Sequence, residues 1–158
     1  MSNAAINTEL MILLNEAVNG TISELLDKLL DIIQETVYSY PATWTNGYKG
    51  DEGRTGDFGT EAWDATKASI IGNVSSAEIF ENNLQYTAPF SHGLSAEGLA
   101  DVINDGLYDT GIGFPAMSSR PFWTEFTTYI DNNFDKIFRK HCLEVGLPIS
   151  ATNVSINL

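Results

Sequence analysis

The side chains best suited to acid–base or nucleophilic chemistry are few in this sequence. The two histidines are His92, in a loop before a predicted helix, and His141, which precedes the single cysteine, Cys142. Adjacent residues of a helix point in different directions, so His141 is not placed to activate the Cys142 thiol. Cys142 falls at an apolar position of a helical pattern, which is typical of an inert core thiol. The sequence also lacks a Gly-x-Ser-x-Gly nucleophile motif, and we predict no catalytic residue.

Carboxylates within residues 51–61 are the other candidates for chemistry. Gly56 occupies the sixth position of this segment, as in a calcium-binding EF-hand loop. However, Gly53 and Thr55 stand where that loop needs Asp or Asn, and Ala62 stands where it needs a bidentate Glu. The pattern therefore argues against a dedicated calcium loop. The sequence contains no P-loop and no zinc-binding spacing either, so we predict no metal and no cofactor.

The net charge limits the classes of partner. The 158 residues include 21 acidic and 8 basic ones, which gives a formal charge of −13 at pH 7 and an isoelectric point of about 4.2. Such a surface repels phosphate backbones, so tight nucleic-acid binding is not expected, although an acidic channel would let DNA pass without adhering. No signal segment opens the chain and no apolar run approaches the ~20 residues that span a bilayer; we expect no membrane contact.

The elements that must position any site begin with a long amphipathic helix. Apolar residues recur at three- and four-residue steps over residues 8–38, which predicts a helix. Gly20 interrupts the pattern, and Thr21 with Glu24 has the form of a capping box, so the region is either one helix bent at Gly20 or two helices. The glycine-rich residues 41–60 are predicted to be a long flexible loop.

The middle of the chain favours a small, mainly antiparallel sheet. Residues 62–74 are typical of a first strand and residues 77–86 of a second, with turns expected at 72–73 and 75–76. A shorter helix is then predicted over residues 95–107.

A second long helix is predicted to begin at Pro121 and to stop at Gly146. Its aromatic residues are expected to pack against the leucine stripe of the first helix. The alternating residues 149–158 are predicted to be a strand-like arm, which completes the sheet or pairs with a neighbouring subunit. We therefore predict an α+β fold with one domain over residues 1–148, in which long N-terminal and C-terminal helices, with a shorter helix between them, pack on the sheet.

Residues 106–123 combine a glycine-studded loop with an aromatic-loaded helix start. The glycines allow unusual backbone angles and close approach, which indicates a shaped surface more than a reaction site. Arg120 has a simpler alternative role, the anchoring of this loop to a carboxylate.

The order of several short motifs carries a family resemblance. After the N-terminal helix come Arg54-Thr55-Gly56-Asp57-Phe58, Ala62-Trp63, Tyr86, Pro89, His92-Gly93, Gly106-Leu107, Phe114 and Arg120-Pro121-Phe122-Trp123. From about Arg54 to Gly146 this order resembles the small tail-completion, or head–tail joining, neck proteins of long-tailed bacteriophages.

The resemblance implies a structural virion protein without enzymatic activity. It would form a ring, expected to be hexameric, between the tail tube and the head connector. Its partners would be copies of itself, the tail-tube protein and the connector or stopper proteins, with DNA passing through the lumen without specific binding. It would be found in the host cytoplasm during assembly and then in the virion neck. The expected interface residues are Arg54, Thr55, Gly56, Phe58, His92, Gly93, Phe114, Arg120, Phe122 and Trp123.

Other functions stay open on the sequence alone. One is the tail terminator, a ring protein of the same neck region. Another is a soluble prophage-encoded binding module, which predicts a stable monomer with one persistent apolar groove. An enzyme using Asp51, Asp57 and Glu61 is a third, but acidic loop residues are expected from the composition by itself.

Overall fold

The computed structural model of the chain describes residues 3–39, 57–82, 96–106 and 119–147. The elements, in chain order, are α1 (Asn3–Ile33), a π-helical turn (Gln34–Tyr38), a 3₁₀ turn (Asp57–Gly59), β1 (Trp63–Ala65), β2 (Ser69–Ile71), β3 (Val74–Ser76), β4 (Ile79–Glu81), α2 (Ala96–Asp105) and α3 (Phe122–Glu144). This architecture confirms the predicted α+β class, with most of the described residues helical.

The chain divides into two compact units, each built from segments that are distant in sequence. Unit 1 comprises Met1–Asp27, Ala65–Ile79 and Thr127–Leu158, and unit 2 comprises Lys28–Asp64 and Phe80–Phe126. The predicted arm over residues 149–158 and most of the predicted 41–60 loop lie outside the described residues.

Helix α1 runs without a break through Gly20, so the structure has one helix where the sequence left one or two open. The predicted capping box is wrong: Thr21 lies inside the helix, and its hydroxyl donates a 2.8 Å hydrogen bond to the carbonyl of Ala17, one turn earlier. A buried Thr hydroxyl inside a helix satisfies itself in this way when no helix end is near. Thr36 does the same with the Ile32 carbonyl at 2.7 Å, next to the π-helical turn.

The predicted first strand is divided into β1 and β2. Its interruption is at Ala68, whose N–H donates to Asn19 Oδ1 (2.6 Å) and whose carbonyl accepts from Asn15 Nδ2 (3.0 Å). Side chains of α1 therefore take the backbone groups that a longer strand would have paired. β1 pairs with β4, and β2 pairs with β3.

The hairpin β2–β3 turns at Gly72, which has a φ of +63°, as the Gly72–Asn73 signal predicts. The second predicted turn, at Ser75–Ser76, is wrong. These residues belong to β3, where Ser75 lies opposite Ile70 and Ser76 opposite Ser69. The chain reverses at Gly72, and the backbone groups of Ser75 and Ser76 then pair with β2 in the strand ladder. A second turn at these residues would break that pairing.

The core of unit 1 confirms part of the predicted helix packing. Ala17, Phe138, Cys142 and Leu147 are buried together, and the partly buried Leu13, Leu14, Val18, Phe134 and Val145 pack against them. The leucine stripe of α1 therefore contacts the aromatic residues in the second half of α3. Complete burial of each large side chain stabilises the fold by about 1.5–3 kcal/mol.

Helix α3 ends in a Schellman motif. Gly146 has a φ of +76°, its N–H donates to the Leu143 carbonyl (3.2 Å), and the Leu147 N–H donates to the Cys142 carbonyl (2.8 Å). The predicted stop at Gly146 is confirmed. Glycine ends the helix here because it adopts a positive φ without the strain that a side chain would cause.

Candidate interaction site

Unit 2 contains a compact group of aromatic side chains, here called the aromatic cluster. Its members are Phe58, Trp63, Phe122, Trp123 and Phe126. The Trp63 and Trp123 rings are stacked, with centroids 5.8 Å apart and planes inclined by 15°. Phe58 and Phe122 meet edge to face at 5.4 Å. Each such pair adds about 0.5–1.5 kcal/mol to the free energy gained by burial, so the cluster is a rigid platform.

The 3₁₀ turn brings Phe58 into the aromatic cluster. This turn is held against the π-helical turn by a 3.4 Å hydrogen bond from Gln34 Nε2 to the Gly59 carbonyl. A Cβ atom at Gly59 would lie 2.5 Å from Gln34 Nε2 and 2.7 Å from Tyr38 Cε2. A glycine is therefore needed for this close approach.

The start of α3 is held by the end of α2. Asn104 Oδ1 accepts the Trp123 N–H at 3.1 Å, and thus caps α3 from another helix. The main chain of α2 adds two bonds, from Ser119 Oγ to the Asn104 carbonyl (2.5 Å) and from the Arg120 N–H to the Ile103 carbonyl (2.9 Å). These contacts fix the direction in which the first aromatic residues of α3 project.

Arg120 anchors the segment before α3, as the alternative prediction proposes. The prediction named a carboxylate as its partner, whereas in the structure the guanidinium donates to a main-chain carbonyl. Its Nη1 donates to the carbonyl of Val37 at 2.5 Å. Val37 lies in the π-helical turn, where a regular α-helical carbonyl pattern ends. The guanidinium thereby donates to a main-chain carbonyl near the end of this helical segment.

The members of the aromatic cluster differ sharply in exposure. Phe58, Trp63, Phe122 and Phe126 are buried, whereas Trp123 is 36% exposed. Trp63 Nε1 is buried and has no hydrogen-bond acceptor among the described residues. A buried donor without an acceptor lowers the stability of a fold by about 1–3 kcal/mol, so an acceptor for Trp63 Nε1 would stabilise the cluster.

The structure brings together three of the four predicted interface residues whose side chains it describes, Phe58, Phe122 and Trp123, whereas the Arg120 side chain bonds to the Val37 carbonyl. Phe58 and Phe122 are 4% and 1% exposed, so their contacts are inside unit 2, and Trp123 is the member that reaches the surface. The remaining predicted residues lie outside the described part of the chain; they are Arg54, Thr55, Gly56, His92, Gly93 and Phe114.

Sequence reasoning missed the roles of Trp63 and Asn104. Trp63 falls at the start of the first predicted strand and in the ordered motifs, and its large aromatic side chain five residues after Phe58 is the signal for a buried cluster. Asn104 gave no local signal, because it caps a helix that begins 18 residues later in the sequence.

Unit 1 exposes a second apolar feature at the tip of the β2–β3 hairpin. Ile70, Ile71 and Val74 are 41%, 77% and 63% exposed. The base of the hairpin is held to α1 by Asn15, which donates to the Ala68 carbonyl and accepts from Ser75 Oγ at 2.8 Å. The exposed aliphatic side chains are therefore presented on a fixed support.

Unit 1 also contains a polar cluster around His141. Its Nε2 lies 2.8 Å from Glu24 Oε2, its Nδ1 lies 2.8 Å from Glu144 Oε2, and Lys140 Nζ lies 2.8 Å from the same Glu24 oxygen. The hydrogen bond from Lys140, followed by the one from His141, lowers the pKa of Glu24 against the opposing effect of burial. The arrangement is a clasp between α1 and α3.

Cys142 is confirmed as a core thiol. It is completely buried, and burial raises the pKa of the thiol, which disfavours the reactive thiolate. His141 makes its contacts with the two carboxylates. Among the residues that the structure describes, no group of three or more His, Cys, Asp or Glu side chains is placed to hold a metal ion.

No protein-family model, curated protein or solved structure matches this chain. Over the described ranges, no helix is both long enough and apolar enough to cross a membrane.

Proposed function

We propose that this chain is a structural assembly protein of the tail-completion or head–tail joining type, which works by docking to other subunits of a tailed-phage neck. The observation that carries the proposal is the presentation of Trp123. This large aromatic side chain reaches the surface while its ring is stacked on Trp63. A rigid, partly exposed aromatic residue is typical of the anchor in a protein–protein interface.

The two exposed features support contacts between unlike surfaces. The apolar hairpin tip lies in unit 1, and Trp123 lies in unit 2. A ring of identical subunits needs two different, mutually complementary patches on each copy. The described residues of each unit include exposed apolar side chains, which can supply such a pair of patches.

The charge also fits a channel component. A net charge of −13 disfavours adhesion of DNA, so a lumen formed by such chains would let DNA slide through. The excess of acidic residues is then explained by its effect on the electrostatic field.

The proposal is tested by adding the purified chain to tails and to connector-bearing heads that lack their neck proteins. Co-sedimentation followed by electron microscopy should show a ring at one of these ends. Trp123→Leu should reduce the bound fraction about tenfold or more, as expected for a central anchor. Leu143→Ser, a change at another exposed apolar residue (70% exposed), is the matched control and should bind like the wild type. A wild-type chain that joins neither end contradicts the proposal.

A further inference from the structure

We propose that Trp123 and Asp105 form a docking site for an arginine-bearing segment of a protein partner. The inference rests on the proposed function in that the partner is taken to be another assembly subunit. The site lies in unit 2, at the junction of α2 and α3.

A hydrogen-bonded chain places the Asp105 carboxylate next to the start of α3. Asn104 Nδ2 donates to Asp105 Oδ1 at 2.7 Å, while Asn104 Oδ1 accepts the Trp123 N–H at 3.1 Å. One amide side chain therefore separates the carboxylate from the Trp123 backbone. Both Asp105 and Trp123 are exposed, and the proposed ligand contacts both groups.

An exposed indole beside a carboxylate is suited to a guanidinium group. Trp provides the best aromatic face for a cation, and arginine stacks on it while its N–H groups remain free for a carboxylate. The Trp63 ring, stacked with its centroid 5.8 Å away, and the Phe126 ring, 5.5 Å away, fix the plane of the Trp123 indole. A cation therefore meets a surface whose orientation is set before binding, and little entropy is lost in ordering it.

The charge of unit 2 selects a basic partner. Unit 2 contains thirteen of the chain's 21 acidic residues and four of its 8 basic residues, so it accounts for −9 of the formal charge of −13. Its field attracts cationic segments and repels acidic ones, including a second copy of unit 2. A basic segment is accordingly the complementary occupant of this exposed tryptophan.

A second observation at this place is the indole N–H of Trp63, whose ring is stacked on that of Trp123. Trp63 is 7% exposed, and its Nε1 has no acceptor among the residues described. A bound peptide carries a backbone carbonyl with every residue, which is the type of acceptor that this donor lacks among the described residues. Side-chain and backbone recognition would then be combined at one place.

The test compares two short capped peptides that differ only by arginine or its neutral isostere citrulline. Binding is followed by tryptophan fluorescence and by calorimetry with the full chain. The arginine peptide should bind at least about fivefold more tightly than the citrulline peptide, and added salt should weaken it. Equal binding of the two peptides, or no binding of either, overturns the proposal.

Variants locate the binding to this site. Trp123→Leu and Asp105→Asn should each weaken the arginine peptide about fivefold, and Trp123→Phe should be intermediate because phenylalanine keeps an aromatic face. Asp131→Asn, which removes the same charge from an exposed position of α3 in unit 1, is the control and should change the affinity less than twofold. Near-ultraviolet circular dichroism establishes that each variant is folded. An equal loss in Asp131→Asn would show that only overall charge matters, and would overturn the assignment.

The two proposals fail in different ways. If the chain binds tails or heads independently of Trp123 and ignores the arginine peptide, the docking site is wrong and the proposed function stands. If the peptide binds as expected and the chain joins neither particle end, the proposed function is wrong and the docking site stands.

Discussion

At the scale of single residues, Gly20 and His141 explain each other. A Cβ atom at Gly20 would lie 2.5 Å from His141 Nδ1 and 2.9 Å from its Cγ. A glycine inside a helix normally costs about 1 kcal/mol relative to alanine. Here that cost is offset, because the missing side chain leaves room for an imidazole that contacts the carboxylates of Glu24 and Glu144.

This pairing predicts a reversal of sign for Gly20→Ala. In the wild-type background the added methyl group displaces the His141 ring, and the overpacking cost of about 1–3 kcal/mol should exceed the gain in helix propensity. In a His141→Ala background the same change should stabilise the chain by roughly 0.5–1 kcal/mol. Urea unfolding of the four chains measures both values. Stabilisation by Gly20→Ala in both backgrounds would contradict the close approach.

Glu24 predicts a dependence of stability on acid. Since Lys140 and His141 lower its pKa below the ordinary value of 4.5, its contacts stabilise the folded chain above that pH. The stabilisation should decline as the pH falls below 4.5 through the pKa of the folded state. Solvent screens the pair, so Glu24→Gln should cost no more than about 1 kcal/mol at pH 7.

The measurement for Glu24 is the free energy of unfolding of wild type and Glu24→Gln at pH 7 and at several values below pH 4.5. The difference should shrink with decreasing pH. Glu16→Gln, at an exposed position of the same helix, is the control and should show no comparable change. A difference that grows in acid would mean that the clasp does not favour the charged form of Glu24.

At the scale of elements, α3 depends on α2 for its first turn. Pro121 lacks an N–H, and its carbonyl accepts the Glu125 N–H at 3.0 Å, so the helical pattern begins at this proline. The Phe122 N–H donates to the Arg120 carbonyl, and the N–H of Trp123 donates to the side chain of Asn104. The aromatic side chains of the first turn therefore keep their direction only while the two helices are joined.

Replacement of Asn104 should loosen this junction. Asn104→Ala removes the acceptor for the Trp123 N–H and should lower the free energy of unfolding by about 1 kcal/mol, as for the loss of an N-cap. Asn104→Asp keeps an acceptor oxygen and should cost less. Asn132→Ala is the helix control: its side chain donates to the Thr128 carbonyl one turn earlier in the same helix, so the change should be neutral or stabilising. Equal effects of the two alanine variants would rule out the capping role.

At the scale of the whole molecule, the negative charge is unevenly divided between the units. Unit 1 places Lys136, Arg139 and Lys140 on α3, and two of these are paired, with Asp135 at 2.6 Å and with Glu24 at 2.8 Å. Unit 2 has few basic residues to offset its acidic ones. Its field is therefore available to a partner, which is why the proposed docking site is assigned to unit 2.

Local signals were enough to predict much of the fold. The three- and four-residue apolar period predicts both long helices, and Gly146 and the Gly72–Asn73 pair predict the end of α3 and the hairpin turn. These features depend on the backbone freedom of a few residues and on burial of one helix face. Both are properties of short sequence windows, so they can be inferred without knowing which segments meet.

The tertiary structure alone decided where the strands break and which aromatic residue reaches the surface. Asn15 and Asn19 bond to Ala68, which lies between β1 and β2 and about fifty residues later in the chain, and Asn104 caps α3 across a gap in sequence. The sequence predicts Phe122 and Trp123 as interface residues and also predicts that the aromatic residues of this helix pack in the core; in the structure Phe122 is buried and Trp123 is exposed. Such outcomes depend on partners distant in sequence, because hydrogen-bond acceptors and packing surfaces are assigned only when those segments come together.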